Sequence, residues 1–430
     1  VYSPRICGIC SVSQSAAAAA ALANAQGITM PPNGQFVSNL IKATENVADH
    51  LTHFYLFFMP DFAREIYSKE PWFEWVEKRF KAGRGTASGD VLPARAEFMH
   101  IIGLLAGKWP HTLTIQPGGT TKSVAPHEQA RLMSVLAGFR KFLETTVFDD
   151  DLEKITSLST TDELKSWADE KEPSDCDFRS FLYLAECLQL DKLGRASNRF
   201  LSHGAYNFEA GPLFARGVFE NNKVSAFDPN QVREDLTHAW LADSGSPRHP
   251  YDGLTEPNAD ADRGYSWCKA PRLDGQVIEV GALARQLVDG DPLIRDLVAG
   301  GSGSVQTRVV ARLLEMARIV LSMEAWVKEL LPGNPFCVHG HMPDECQGVG
   351  LVEAARGSLG HWLKVKNGMI ENYQIVAPTT WNFSPRDADG TPGALEQAIA
   401  GAPVRPGEED PVAVQHIVRS FDPCMVCTVH

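Results

Sequence analysis

No apolar run in this 430-residue sequence is long enough to cross a bilayer, and no stretch reads as a secretory leader. The Ala-rich SAAAAAALANAQ is short and reads as a packed helix. Any membrane attachment therefore has to come through a partner, and a cytoplasmic location is expected. Positive charge is in deficit: 40 Lys and Arg against 53 Asp and Glu leave −13 at pH 7. That balance argues against nucleic acid as a default partner. Phosphate-loop chemistry is missing as well. GGSGS at 300–304 is followed by no Lys-Ser/Thr pair, so it reads as a loop. There is no internal repeat and no low-complexity tract. The sequence opens on Val1, and upstream residues are expected to be absent.

What is present is a chain 44% hydrophobic, long enough for a large core. QFVSNLIKATENVADHLTHFYLFF carries Phe36, Leu40, Ala43, Val47 and Leu51 at helical spacing, with Asp49 and His53 on one face. SVAPHEQARLMSVLAGFRKFLETTV is a second helix. TRVVARLLEMARIVLSMEAWVKELL is the longest, apolar on most sides and so central. HWLKVKNGMIENYQIVAPTTW alternates around Asn367-Gly368, a hairpin signal. The polar stretch 149–180 reads as a peripheral insertion, and the turn-rich stretch 228–264 as mostly irregular. The predicted fold is mainly α (α+β). A central bundle of long helices carries small β hairpins and irregular insertions, in a single domain over 1–430.

Nine cysteines are an odd number, scattered too widely for a disulfide framework. Four of them form two Cys-x-x-Cys pairs at opposite ends: Cys7 and Cys10 in RICGIC, Cys424 and Cys427 in DPCMVCTVH. Two such pairs can close one four-sulfur site for a soft or borderline metal. Structural zinc is one reading, although zinc pairs usually lie within a few tens of residues of each other. A thioredoxin-like redox pair is another, but no βαβ pattern surrounds either pair. If the pairs share a site, the chain ends meet in the interior, at a buried metal site.

The flanking residues carry more. RICGIC and SFDPCMVCTVH, with ATENVADHLTHFY, GKWPHTLTIQPGG, VEAARGSLGHW and APTTWNFSPRDADGTPGALEQA in this order, closely resemble the large subunit of nickel–iron hydrogenases from Arg5 to His430. The resemblance implies that Cys7, Cys10, Cys424 and Cys427 hold a nickel–iron centre. Cys10 and Cys427 would bridge the metals, Cys7 and Cys424 would be terminal on nickel, and the iron would carry cyanide and carbon monoxide. Arg356 matches the arginine above the metals, and Asp49 and Asp422 the carboxylates that hold it. Ala355, Pro378 and Thr379 match the surrounding pocket. His430 and the Ile375 carbonyl match ligands of a magnesium or iron ion at the C-terminal tail.

Taken singly, these residues have plainer readings. Asp49 would be a helix-surface carboxylate, Arg356 a snorkelling arginine, Asp422 half of an Asp-Pro turn, and His430 a frayed end. His111, His339, His341 and His361 read as capping or packing residues. The sequence also departs from the family pattern. Gln14 stands where a histidine is usual, Ala355 where proline is frequent, and the glutamate motif that precedes the first pair is not in the chain.

The implied activity is reversible heterolytic splitting of H2 to protons and electrons, in the uptake direction. The alternative is a regulatory hydrogen sensor that signals to a kinase; Gln14 and the tail resemble the subgroup holding both. The five other cysteines lack iron–sulfur spacing, so this chain alone offers no electron path; the resemblance implies an iron–sulfur small subunit as partner, in a higher oligomer of heterodimers. Two further rivals are a respiratory complex I scaffold, which lacks the cysteine pairs, and a zinc-stabilised structural protein.

Overall fold

The computed structural model describes residues 1–243, 245–299, 301 and 303–428; Ser244, Gly300, Ser302, Val429 and His430 lie outside the described residues. The readings of GGSGS and of His430 therefore fall partly or wholly outside them.

Helix α1 (Ser11–Gln26) contains the alanine run, and Gly27 ends it in the left-handed conformation (φ 64°). Alanine favours helix, and it also lets the helix approach a sheet closely. Helix α2 (Pro32–Thr52) starts with proline in its first turn, where the missing N–H costs nothing, and continues as a π turn over His53–Phe58. Helix α3 (Pro126–Phe142) likewise runs into a π turn. The stretch 149–180 is more ordered than its polarity suggests. It forms α4 (Leu152–Ser157) and α5 (Thr161–Asp169) and enters α6 (Asp177–Cys187). Thr160 caps α5, and Trp167 is buried under the Arg179 guanidinium, 3.9 Å from the ring centre.

Strands β1 (Arg199–Phe208) and β2 (Gly211–Glu220) form a long antiparallel pair. Strand β3 (Lys223–Ser225) adds to β2, and β4 (Glu279–Val280) runs parallel to β1 on the other side. Helix α7 (Ala282–Asp289) covers this sheet. Helix α8 (Val305–Glu329) is the longest; Ser304 and Thr307 cap its start reciprocally. It packs on α2, α3 and α7, as its nearly all-round apolar sequence requires.

The second sheet has three antiparallel strands, β5 (Cys346–Ala354), β6 (Gly357–Lys366) and β7 (Met369–Val376), with β6 central. Asn367 and Gly368 form the β6–β7 turn with φ of 51° and 70°, the geometry an Asn-Gly hairpin needs. Helix α1 lies across β5 and β6. Gly350 makes this possible: a Cβ there would sit 1.9 Å from the Ala17 carbonyl oxygen. Helices α9 (Pro378–Asn382) and α10 (Val412–Ser420) follow, and the tail returns to the start of α1. Among the described residues, no helix is long and apolar enough to cross a membrane.

Candidate metal centre

Cys7 and Cys10 lie in the turn that leads into α1, and Cys10 is its N-cap. That residue offers no side-chain oxygen to the first amides of the helix. Glu45, projecting from α2, does so instead. Its carboxylate accepts from Val12 N (2.8 Å), Ser13 N (2.9 Å) and Trp109 Nε1 (3.0 Å). Burial pushes the Glu45 carboxyl up to about 7, against the pull of these donors.

From the other end of the chain, Cys424 follows α10, and Cys427 sits in a 3-10 turn, Met425–Thr428. Helix α9 pins both. Thr379 Oγ1 accepts from Cys424 N at 3.2 Å, and Thr380 Oγ1 donates to the Cys427 carbonyl at 2.8 Å. The four buried Sγ atoms lie within 4.8 Å of one another. Cys7 meets Cys424 at 3.4 Å, and Cys10 meets Cys427 at 3.6 Å. A cation with bonds of about 2.3 Å to four sulfurs separates them by roughly 3.8 Å in a tetrahedron, so the set is spaced for metal. The electrostatics agree. Hydrogen bonds from the neighbouring thiols, Cys10 first, draw Cys7 and Cys424 toward thiolate, while Cys10 is pushed far up. Four thiolates this close and this buried need a soft cation to coexist. Among the described residues, this is the group of metal-ligating side chains that comes together.

Beside the thiols stands Arg356, in the β5–β6 turn. Its Nη1 and Nη2 donate to Asp49 at 2.6 and 3.1 Å, Nη2 also to Asp422 Oδ1 at 3.1 Å, and Nε to the Asp422 carbonyl at 3.0 Å. Asp422 adopts φ 56°, unusual for a non-glycine residue; its carbonyl and carboxylate both reach the guanidinium. Burial opposes the charge on Arg356, but Asp422, Asp49, Cys10 and Cys424 outweigh it and fix the guanidinium as a cation. Burial pushes Asp49 up to about 7 in spite of Arg356. Asp422 is held below the usual carboxylate range, because Arg356 and more distant cations overcome its burial.

Several site residues are illegible in isolation. Arg285 on α7 donates to the carbonyls of Ala354 (2.8 Å) and Ala355 (3.0 Å), and so sets the turn that presents Arg356. It is itself buried between Glu315 and Glu353, at 2.7 Å from each. Charged residues inside apolar helical stretches were the available signal for Arg285 and Glu315. Gln14 accepts from His361 Nε2 at 2.8 Å, and His361 Nδ1 lies 2.6 Å from the Tyr373 hydroxyl. His361 is thus a buried partner of the residue that departs from the family pattern. His111 binds the Pro4 carbonyl, while His339 and His341 are exposed. Pro378 is the first residue of α9. Ile375 lies on β7, opposite His361. Its neighbour Gln374 bonds Lys269 (2.7 Å), which pairs with buried Glu234 at 3.1 Å. The position of His430 is outside the described residues.

Comparison with known proteins places these features in one group. Residues 1–67 and 90–430 match the nickel-dependent hydrogenase family. The periplasmic [NiFeSe] hydrogenase large subunit of Desulfomicrobium baculatum is 28% identical over 99% of this chain and 84% of its own length. The uptake hydrogenase large subunit of Rhodobacter capsulatus is 27% identical over 100% of this chain and 86% of its own. The as-isolated oxidised Ni-Fe-Se hydrogenase of D. vulgaris Hildenborough superposes with a TM-score of 0.82 at 28% identity, covering 99% of this chain and 88% of that one. Where those names record selenium, all four clustered positions here are cysteine. With its two terminal thiol pairs folded into one pocket beside a clamped arginine, this chain belongs to the nickel-dependent hydrogenases, as a large, catalytic subunit.

Proposed function

We propose that this subunit splits dihydrogen heterolytically, H2 giving two protons and two electrons, in the uptake direction. The observation that carries the reading is the permanently charged, two-carboxylate-clamped Arg356 next to four clustered thiols. A nickel–iron pair held there supplies the Lewis acidity and the redox change that cleavage needs. Cys7 and Cys424 would hold nickel alone, while Cys10 and Cys427 would hold both metals; the two short Sγ pairs support that grouping. The iron would carry cyanide and carbon monoxide, and Ala355, Pro378 and Thr379 would line its pocket. The Cys424 sulfur and the Arg356 guanidinium are the candidate acceptors of the proton. Asp49 and Asp422 keep the guanidinium oriented, and its planar fork suits two carboxylates at once. His430 and the Ile375 carbonyl would hold a magnesium or iron ion at the tail.

The two electrons leave to an iron–sulfur small subunit. Ile9, Met425 and Val426 are exposed beside the buried thiols, an apolar rim suited to a close-packed partner. Heterodimers of this kind would assemble further. Cysteines that pair with no other cysteine suit the reducing cytoplasm, although one relative is named periplasmic. Hydrogen sensing is the second reading: Gln14, which accepts from His361 at 2.8 Å, resembles the subgroup that holds both uses.

The test is elemental analysis and hydrogen oxidation of the chain purified with its partner. Nickel and iron in equal amounts, with turnover, are expected. Stoichiometric zinc without nickel refutes the reading. Turnover too slow for growth on hydrogen, with a kinase bound, selects the sensor. Metal content after His430→Ala tests the tail: normal nickel retention would leave the tail ion without a role.

A further inference from the structure

The α2–α8 interface behind the metal pocket leaves a set of buried polar atoms without partners. Arg308, Arg312 and Glu315 fall at i, i+4 and i+7 and form one stripe along α8. Two of the three are matched. Arg308 is bidentate to Glu279 at 2.8 and 2.9 Å, stacks 3.8 Å from the Phe421 ring centre, and reaches Ser420 Oγ at 3.4 Å. Glu315 meets Arg285 and His50.

Arg312, between them, is not matched. It is 5% exposed, and among the described residues its one hydrogen bond runs from Nη1 to the Arg308 carbonyl at 3.3 Å. Among the described residues its Nε has no partner, and no carboxylate lies within ion-pair distance. Its flanks define its surroundings. One turn onward, Glu315 meets His50 of α2 at 3.1 Å. One turn back, Arg308 meets the tail at Ser420. His53, one turn after His50, lies 2.7 Å from the Arg419 carbonyl. Arg312 therefore lies on α8 between neighbours that touch α2 on one side and the end of α10 on the other. Among the described residues, three more buried atoms of these same elements have no hydrogen-bond partner: His50 Nδ1, His53 Nδ1 and Asp422 Oδ2. Burial pushes Asp422 up, but Arg356 first, and then His53, Arg312 and His50, hold it down.

A dry guanidinium nitrogen and a dry carboxylate oxygen are both strongly unfavourable in an interior. An anion would satisfy Arg312, but Asp422 would repel it. A cation would satisfy Asp422, but Arg312 would repel that. Water accepts from Nε, donates to Oδ2, and serves an imidazole nitrogen in either role. We propose that Arg312, Asp422, His50 and His53 enclose a buried hydration site, whose ordered water ties α8 to the carboxylate that clamps Arg356. The clamp would then have a support on the face of Asp422 turned away from the arginine.

The experiment is a high-resolution crystal structure of the subunit assembled with its partner, alone and after a bromide soak, with Arg312→Met and Arg312→Lys beside it. Ordered water within hydrogen-bonding distance of both Arg312 Nε and Asp422 Oδ2 is expected. It should be lost in Arg312→Met, with a changed Asp422 rotamer, and kept in Arg312→Lys. A dry void, a direct Arg312–Asp422 contact, or an anomalous bromide peak at Arg312 would each overturn the proposal. If the methionine variant does not fold, the wild-type density alone still decides.

Discussion

Arg356 donates to both oxygens of Asp49, at 2.6 and 3.1 Å, across 307 positions of sequence. The pair joins the β5–β6 turn to the last turn of α2, and Asp422 completes it from the tail. Three distant segments thus agree on where one guanidinium sits. Arg356→Lys keeps the charge but loses the fork that grips both carboxylates. Nickel per chain should be unchanged and hydrogen turnover should fall by roughly 100-fold or more. Full turnover in a nickel-replete variant would remove Arg356 from the mechanism.

Glu45→Ala should destabilise the subunit by about 3 kcal/mol, because Val12 N, Ser13 N and Trp109 Nε1 all lose their acceptor. Glu45→Gln should be milder, since an amide oxygen still accepts. Thermal unfolding of both variants checks this. Since Glu45 fixes the start of α1, nickel occupancy should fall along with stability in the alanine variant; an unchanged midpoint would show that the cap is dispensable.

The close approach of α1 to β5 predicts an asymmetry between two glycines. Gly350→Ala places a methyl 1.9 Å from the Ala17 carbonyl oxygen and should cost about 3 kcal/mol or prevent folding. Gly138→Ala, on an exposed face of α3 with nothing within 4 Å of the new Cβ, should instead stabilise by about 0.5–1 kcal/mol. Equal effects in a denaturation series would contradict the packing described for α1.

Acid should unfold this protein through its buried histidines. Burial first, and then nearby arginines, hold His203 and His416 down to about 3. Unfolded, each titrates near 6.5, so below that pH the unfolded chain binds protons that the native one refuses. Their stabilisation is complete above about 6.5 and is lost as pH falls toward 3. Between pH 6.5 and 5, each contributes a loss of about 2 kcal/mol. His203→Asn keeps a donor for the Leu359 carbonyl and should flatten this pH dependence by one histidine's share. An unaltered slope would mean that His203 titrates alike in both states.

Much of this was legible in the chain itself. The periodicity of α2 and α8 and the Asn-Gly turn are local signals, and each is strong enough to survive packing. The long β1–β2 pair carries no such signal, because RFLSHGAYNF is buried on both faces and does not alternate. The four thiols and Arg356 were visible through motif order. Glu45, Arg285 and Arg312 were not. Each is a charged residue whose meaning depends on groups contributed by a distant segment.

The Cys7–Cys424 contact closes a loop of more than four hundred residues. Chain-entropy reasoning for a permanent cross-link of that span gives about 6 kcal/mol of constraint on the unfolded ensemble. A metal held by both pairs acts as such a clasp. Every helix and strand described above lies inside the ring, so an opening anywhere along it can be felt at the thiols. Spectra of the bound metals would then double as a gauge of how intact the whole subunit is, far from where the metals sit.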